Sequence, residues 1–197
     1  MKSQEKASTE LPIRSFRRSQ SWVTWLEKNH AKSSGIWLRI AKKGAAIDSV
    51  SYGQALEAAL CYGWIDAQKK SHDESSWLQK FTPRGPRSIW SKINREKAQE
   101  LIKSGRMKAA GLQAVGRAKE SGQWNAAYDG QRGIEVPADL QIELDRNPAA
   151  KAFFAELNSI NRYAILHRIQ TAKQPETRAK RIRQFVEMLE KREKIYR

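Results

Sequence analysis

The chain has 197 residues, 40% of them hydrophobic, which is enough for a packed core in one domain or in a domain with an extension. Its 37 Lys and Arg against 21 Asp and Glu give a formal net charge of +16 and an isoelectric point near 10.1. This balance favours anionic partners such as nucleic acid and argues against a cationic ligand, although a soluble protein can be basic without using its charge. The basic excess is divided between the middle of the chain and its C-terminal part, so a single binding tail is not indicated.

Cysteine and histidine are scarce. One Cys excludes a disulfide within the chain, and His30, His72 and His167 are too widely spaced to suggest a metal site. We therefore predict no metal and no cofactor, and a reducing compartment. The first ten residues lack the apolar region of a signal peptide, and no apolar run approaches the ~18 residues of a transmembrane helix. We predict a cytoplasmic protein without a membrane span.

The first predicted elements are a helix and a strand. Residues 1–15 are small and charged without apolar periodicity and are predicted to be disordered. The segment SWVTWLEKNH then repeats its apolar residues at helical spacing, with Ser19 or Ser21 as the N-cap. IWLRIA, residues 36–41, alternates between apolar and other residues, which is typical of a strand with one buried face.

A second helix and a hairpin complete the predicted core. Ser51 and Gln54 form a capping-box pattern ahead of an apolar helical stripe, and Gly63 is placed to end that helix. WIDAQKK and SWLQKFT, joined by the polar SHDES, predict an antiparallel hairpin. With IWLRIA they form a small antiparallel sheet of about three strands, which needs helices on its apolar face. The predicted fold class is therefore α+β.

The rest of the chain is predicted to be helical apart from one connecting segment. Two helices follow the hairpin, the second over 107–119 with Leu112 facing inward. Residues 123–136 lack periodicity and are predicted to be a linker or a long surface loop. In the later helices Asn147 is predicted as an N-cap followed by Pro148, Ser159 as the N-cap of the next helix, and Pro175 as the start of the last. The last helix is predicted to bury Ile182, Phe185, Val186 and Leu189. We expect an α+β core over 16–122 and an all-helical C-terminal segment over 137–197.

A cluster of basic and small polar residues lies between the last predicted strand and the helix that follows it. Its members are Lys80, Arg84, Arg87, Ser88, Trp90, Ser91, Lys92 and Asn94. Free backbone N–H groups and the helix dipole favour an anion at a helix start, and a Trp there can stack on a base. The alternative is that Ser88, Ser91 or Asn94 caps the helix and the Arg residues pair with Asp66 or with surface acids.

Asp66 is unusual because Asp is depleted in strands. It is either a partly buried carboxylate satisfied by Arg84 or Arg87, or an acid or base in a pocket with them. Cys61, between Leu60 and Tyr62, fits a buried core thiol better than a nucleophile. His72 and His167 are expected to be solvated and packed, respectively.

The aromatic residues near the predicted sheet allow two interpretations. Trp37, Trp64, Trp77 and Trp90 could form a stacking platform of the kind that single-stranded nucleic-acid binders use. Aromatic side chains bury large areas, so the same residues could instead form the core.

The sequence resembles the YdeI/OmpD-associated family, also described as bacteriocin-protection proteins. The resemblance is carried by GIWLRIAKKG, SYGQALEAALCYGWIDAQ, LQKFTPRGPRSIWSKIN and NPAAKAFFAELNSINRYAILHRIQTAKQPETRAKRIRQFVEML, and it extends over roughly Phe16 to Leu189. It implies a role in tolerance of antimicrobial peptides and a link to an outer-membrane porin. It provides no catalytic or binding residues.

Three functions follow from these observations. The first is a non-enzymatic cytoplasmic protein of stress or antimicrobial-peptide tolerance that acts through binding of a protein or another partner. The second is a nucleic-acid or polyanion binder that uses the cluster above and the basic face of Arg178, Arg181 and Arg183. The third is an enzyme that acts on a small anionic substrate at Asp66, Arg84 and Arg87.

Overall fold

The computed structural model describes residues 10–131 and 133–197, so most of the predicted disordered N-terminus lies outside the described residues. The described chain divides into two compact units. The first contains the residues up to Ile89 together with Asn94–Asn125, and the second contains Trp90–Ile93 and Ala126–Arg197.

The first unit contains a four-stranded mixed sheet, and the α+β fold class is confirmed. Its strands are β1 (Ile13–Ser15), β2 (Ile36–Ala41), β3 (Trp64–Ser71) and β4 (Ser76–Pro83), in the order β1-β2-β4-β3. The three predicted strands pair antiparallel, as expected. The predicted strand count was one too low, because β1 pairs in parallel with β2 inside the stretch expected to be disordered. Three exposed residues show no alternation in the sequence, so only their backbone pairing identifies them as a strand.

Four helices belong wholly or mainly to this unit: α1 (Ser19–Asn29), α2 (Tyr52–Cys61), α3 (Lys92–Lys103) and α4 (Ala109–Glu120). The predicted capping box is present, since the Ser51 hydroxyl and the Gln54 side chain each accept a hydrogen bond from the other residue's backbone N–H. The predicted cap of α1 was wrong, because its N-cap is Arg18 and no side-chain bond closes it. The prediction that Leu112 faces inward was also wrong, because this residue of α4 is 47% exposed.

The core of the first unit is aromatic on the helix-covered face of the sheet. Trp22 on α1 is fully buried, with its ring centroid 5.7 Å from Phe81 and 6.4 Å from Trp64. Its indole N–H donates to the carbonyl oxygen of Ala55 at 3.0 Å, so burial leaves this donor satisfied. Trp64 is therefore a core residue, in line with the core interpretation of the aromatics.

The second unit is helical. It contains α5 (Ala138–Arg146), α6 (Pro148–Glu156), α7 (Ser159–Gln170) and α8 (Pro175–Glu190). Asn147 caps α6 and Pro175 opens α8, as predicted, but the cap of α7 is Asn158 rather than Ser159. Ile182 and Leu189 of α8 are buried with Leu140, Ile165 and Ile169, while Phe185 and Val186 pack against this cluster from its edge.

The joint between 123 and 136 has no helix or strand among its described residues. It is not wholly a surface loop, because Trp124 and Ala127 are buried. Tyr128 forms an isolated parallel bridge with Ser91 within the second unit. Among the described residues, no helix is long and apolar enough to cross a membrane.

Candidate nucleic-acid interface

The face of the sheet opposite the aromatic core carries a Trp among basic side chains. Cross-strand partners point to the same face, and β2 and β4 pair Trp37 with Lys80 and Arg39 with Leu78. Strand β3 adds Lys70, which pairs with Leu78. We call Trp37, Arg39, Lys70 and Lys80 the Trp37 face.

The two lysines of the Trp37 face converge on the indole. The ammonium nitrogen of Lys70 lies 4.3 Å from the Trp37 ring centroid, and that of Lys80 lies 6.0 Å from it. Both distances fall within cation–π range. Trp37 and Lys80 are half-buried and Lys70 is exposed, so none of the three residues is fully removed from solvent. Neither lysine forms an ion pair with a carboxylate in the part of the chain that the structure describes.

Arg39 differs from these lysines because its charge is compensated. Its Nη2 lies 3.0 Å from a carboxylate oxygen of Asp73, and its Nε donates to the Ser76 hydroxyl at 2.9 Å. Hydrogen bonds from the Ser76 and Ser75 hydroxyls lower the pKa of Asp73 well below its usual range, so this partner stays ionised. The uncompensated cations of the Trp37 face are therefore Lys70 and Lys80.

A bulge in β3 decides which lysine reaches Trp37. The register of β3 against β4 shifts between Asp66 and Lys69, so that Lys69 pairs with Gln79 and Lys70 with Leu78. Without the extra residue Lys70 would pair with Trp77 on the other face. Instead Lys69 occupies that other face, with its ammonium 4.2 Å from the Trp77 ring centroid.

The predicted anion cluster does not form one basic surface. Arg84 is 6% exposed, and its guanidinium donates to the Ser88 hydroxyl at 3.4 Å and to the carbonyl oxygen of Ile89 at 3.1 Å. These bonds hold the turn after β4, so the guanidinium is directed into the protein. Arg87 is exposed, and Lys80 belongs to the Trp37 face.

The other members of the cluster are buried or paired. Trp90 is 3% exposed, so its ring is not available to stack on a base in this structure. Ser91 and Asn94 are also buried. Lys92, in the second unit, lies 2.5 Å from a carboxylate oxygen of Asp129, and its hydrogen bond lowers the pKa of that carboxyl. These residues are close together in the sequence, but burial and ion pairing leave most of them unable to bind an anion.

Asp66 has a partner that the sequence did not suggest. Its carboxylate accepts a hydrogen bond of 2.8 Å from the Tyr52 hydroxyl at the start of α2, rather than from Arg84 or Arg87. The Tyr52 ring in turn contacts Trp77, with centroids 6.0 Å apart. The carboxylate therefore positions an aromatic side chain beside β4.

The cysteine and histidine residues occupy distinct environments. Cys61 is buried and lines a cleft of about 580 Å³ together with Arg106 and Lys108, and burial raises the pKa of its thiol. His72 lies in the β3–β4 turn, 3.8 Å from Asp73. His167 is half-buried, and burial, together with Arg168 and Arg181, lowers its pKa. A thiolate nucleophile is disfavoured by this environment of Cys61.

The predicted basic face of α8 is partly neutralised within the second unit. Arg178 forms a bidentate pair with Asp139, at 2.6 and 2.9 Å, and also donates to the carbonyl oxygen of Ile169. Arg181 donates to the carbonyl oxygen of Arg168. Arg183 is exposed beside a cleft of about 370 Å³ that Asp139 also lines. Among the described residues, no group of three or more His, Cys, Asp or Glu could hold a metal ion.

Sequence reasoning missed the Trp37 face as a site. It singled out Trp37 and Lys80 separately, the first as one of several aromatics and the second as part of the cluster before α3. The signal that was present is the pair Lys69-Lys70 near the end of β3, in a sheet whose other two long strands each carry a Trp. Its meaning depends on the strand register, which the sequence does not reveal.

The fold and the site define a small α+β protein with a basic, aromatic sheet face and an all-helical C-terminal unit. Residues 14–114, just over half of the chain, match a family model described as Domain of unknown function (DUF8412), and the chain belongs to that family. Residues 133–192 match the family described as Bacteriocin-protection, YdeI or OmpD-Associated, which confirms the resemblance over this part of the chain. The N-terminal segments that also carried the resemblance fall within the first match. No curated protein matches the chain, and no solved structure does.

Proposed function

We propose that this protein is a non-enzymatic, cytoplasmic binder of single-stranded nucleic acid, and that the Trp37 face is its binding surface. One observation carries the proposal: an accessible indole lies within reach of two lysines that lack an acidic partner in the described chain. Nonspecific single-strand binders combine these two features, an aromatic side chain for the base and cations for the backbone.

The energetics favour replacement of Lys70 by a base on the ring. An exposed cation–π contact contributes about 0.5–1 kcal/mol, whereas a base stacked on an aromatic side chain contributes about 1–3 kcal/mol. Lys70 has a flexible stem and can move from the ring to a neighbouring phosphate. A duplex keeps its bases stacked inside, so it can offer this face only phosphates.

The net charge of +16 supports the same partner and bears on the family's description. Antimicrobial peptides are commonly cationic, and a strongly basic protein repels them. If this chain contributes to bacteriocin protection or stress tolerance, it does so indirectly, through the nucleic acid that it binds. The enzymatic alternative has less support, because Asp66 is held by Tyr52 and Arg84 is engaged with Ser88 and Ile89.

The test is binding of a labelled 12-nucleotide single strand and the matching duplex at several salt concentrations. We expect the single strand to bind more tightly and the affinity to fall steeply with salt, because neutralised phosphates release counterions. Trp37→Ala should weaken single-strand binding about tenfold with little effect on the duplex. Lys70→Ala/Lys80→Ala should reduce the salt slope by about 1.4, the value for two lost contacts to a single strand.

Lys173→Ala/Lys180→Ala is the matched control, because both lysines are exposed in the second unit and the charge change is identical. It should leave binding within about twofold of the parent. Equal losses in the two double variants would show that total charge, rather than the Trp37 face, determines binding. Affinity that does not respond to salt would also overturn the proposal.

A further inference from the structure

The opposite face of the sheet holds a second basic pocket beside a different Trp. Its volume is about 370 Å³, and its lining residues are Ala41, Lys42, Lys43, Lys69, Ser71 and Trp77. Trp77 lies two residues before Gln79 on β4, so its side chain shares the face of Gln79 and lies opposite to Lys80 and the Trp37 face. The two surfaces are therefore separate, and we call this one the Trp77 pocket.

The charge of the Trp77 pocket has one sign. Three of its six lining residues are lysines, and none is acidic. Lys43 and Lys69 are exposed, while the Lys42 ammonium donates to the carbonyl oxygen of Asp73 at 2.8 Å and is held at the rim. A concave surface lined by cations concentrates anions, and Ser71 adds a hydroxyl for hydrogen bonding.

The wall of the pocket is aromatic and fixed in position. The Trp77 ring is braced by Tyr52, whose hydroxyl is in turn held by the carboxylate of Asp66. The Lys69 ammonium lies 4.2 Å from the Trp77 centroid, within reach of both the ring and any anion in the pocket. A positioned ring beside convergent cations matches a ligand that is flat at one end and anionic at the other.

We infer that the Trp77 pocket binds one nucleotide unit, with its base on the Trp77 indole and its phosphate on Lys43 and Lys69. The volume lies at the lower end of the roughly 300–1,000 Å³ of small-molecule sites and therefore suits a single unit. The unit is either a free nucleotide or one nucleotide of a longer strand, because both present the same base and phosphate. This site goes beyond the proposed function and does not require the Trp37 face to bind.

The test compares ATP, tripolyphosphate and adenosine by titration calorimetry on the full chain, and a 12-nucleotide single strand by anisotropy. We expect ATP to bind with a stoichiometry of one and at least tenfold more tightly than either fragment, since each fragment lacks one half of the recognition. Lys43→Ala/Lys69→Ala should weaken ATP at least tenfold. Lys173→Ala/Lys180→Ala, with the same charge change, should leave it within twofold.

A second variant separates stacking from charge. Trp77→Leu keeps an apolar side chain and should weaken ATP while tripolyphosphate stays unchanged, with circular dichroism confirming the fold. If ATP does not bind but Lys43→Ala/Lys69→Ala weakens the single strand more than the control does, the pocket holds a nucleotide of a strand. Equal affinity for ATP and tripolyphosphate, or unchanged binding of ATP and strand in Lys43→Ala/Lys69→Ala, would overturn the inference. Failure of the proposed function would instead appear in Trp37→Ala and Lys70→Ala/Lys80→Ala.

Discussion

The side-chain amide of Gln79 donates a hydrogen bond of 3.1 Å to the backbone carbonyl oxygen of Gln68, and the same nitrogen lies 3.2 Å from the carbonyl oxygen of Ala67. Both carbonyls lie in the bulge of β3, where the ladder to β4 is interrupted. Gln79 is 4% exposed, so a buried polar side chain takes over hydrogen bonds that the interrupted ladder cannot make. This contact stabilises the register that places Lys69 on the face of Trp77 and Lys70 on the face of Trp37.

Gln79→Leu should therefore destabilise the protein by about 1 kcal/mol, the usual net contribution of one hydrogen bond, because Ala67 and Gln68 are exposed enough for water to solvate their carbonyls. Chemical denaturation measures this change. Gln68→Ala removes an exposed side chain from the same bulge and should alter stability by less than about 0.5 kcal/mol. If Gln79→Leu is as mild as Gln68→Ala, the amide does not stabilise the bulge.

Gly63 ends α2 with a φ of +72°, and a Cβ there would lie 2.7 Å from the carbonyl oxygen of Ala110. Gly122 has the same φ, but a Cβ there would meet nothing within 4 Å. Gly122→Ala should cost about 1 kcal/mol for the left-handed backbone alone. Gly63→Ala should cost clearly more, about 3 kcal/mol, because the backbone must also shift. Thermal unfolding of the two variants measures the extra cost of the contact with Ala110. Equal losses of stability in the two variants would show that this contact has no effect.

Asn158 caps α7, and its side-chain oxygen accepts bonds from the backbone N–H of Asn161 at 2.9 Å and from the Asn161 side chain at 3.1 Å. Asn158→Ala should reduce the free energy of unfolding by about 1 kcal/mol. Ser159→Ala, one residue later, should change it by less than about 0.5 kcal/mol, because Ser159 is the first helical residue and not the cap. A larger loss for Ser159→Ala would show that the cap had been assigned to the wrong residue.

Asp139 and Arg178 give the second unit a pH dependence. The hydrogen bonds of Arg178 lower the pKa of the Asp139 carboxyl below its unfolded value of about 3.9. Its contribution to stability is therefore fully present above that value and is lost as the pH falls through the folded pKa. Both side chains are partly solvent-exposed, which keeps the contribution below about 1 kcal/mol.

Denaturation of the parent and of Asp139→Asn between pH 6 and pH 2 tests this contribution. The parent should lose more stability than the variant on acidification, and added salt should narrow the difference. Parallel pH profiles would show that the pair makes no net contribution.

Local sequence patterns predicted helix caps and helix ends correctly where these are formed by residues close together in the chain. The capping box at Ser51 and Gln54, the turn at Gly63 and the Asn147-Pro148 helix start are formed by residues a few positions apart, and all three appear in the structure. The exception at Asn158 and Ser159 is a shift of one residue, because either side chain can cap a helix.

Contacts between segments that are distant in the sequence could not be predicted from local patterns. Arg84 and Trp90 have the composition of an anion site, yet both are buried, since burial depends on what packs against them. Strand β1 was missed because it is identified by its pairing with β2, more than twenty residues away.

The sequence by itself determined the α+β class, most helix starts, the three long strands and the basic charge, because these follow from periodicity, capping chemistry and composition. Only the tertiary structure decided which cations are available to a ligand and which aromatic ring each one meets. The physical reason lies in β3: one extra residue between Asp66 and Lys69 reverses the faces of the residues that follow, and the buried amide of Gln79 stabilises it from a neighbouring strand. Trp37 and Lys70 therefore meet through a register that no local pattern encodes.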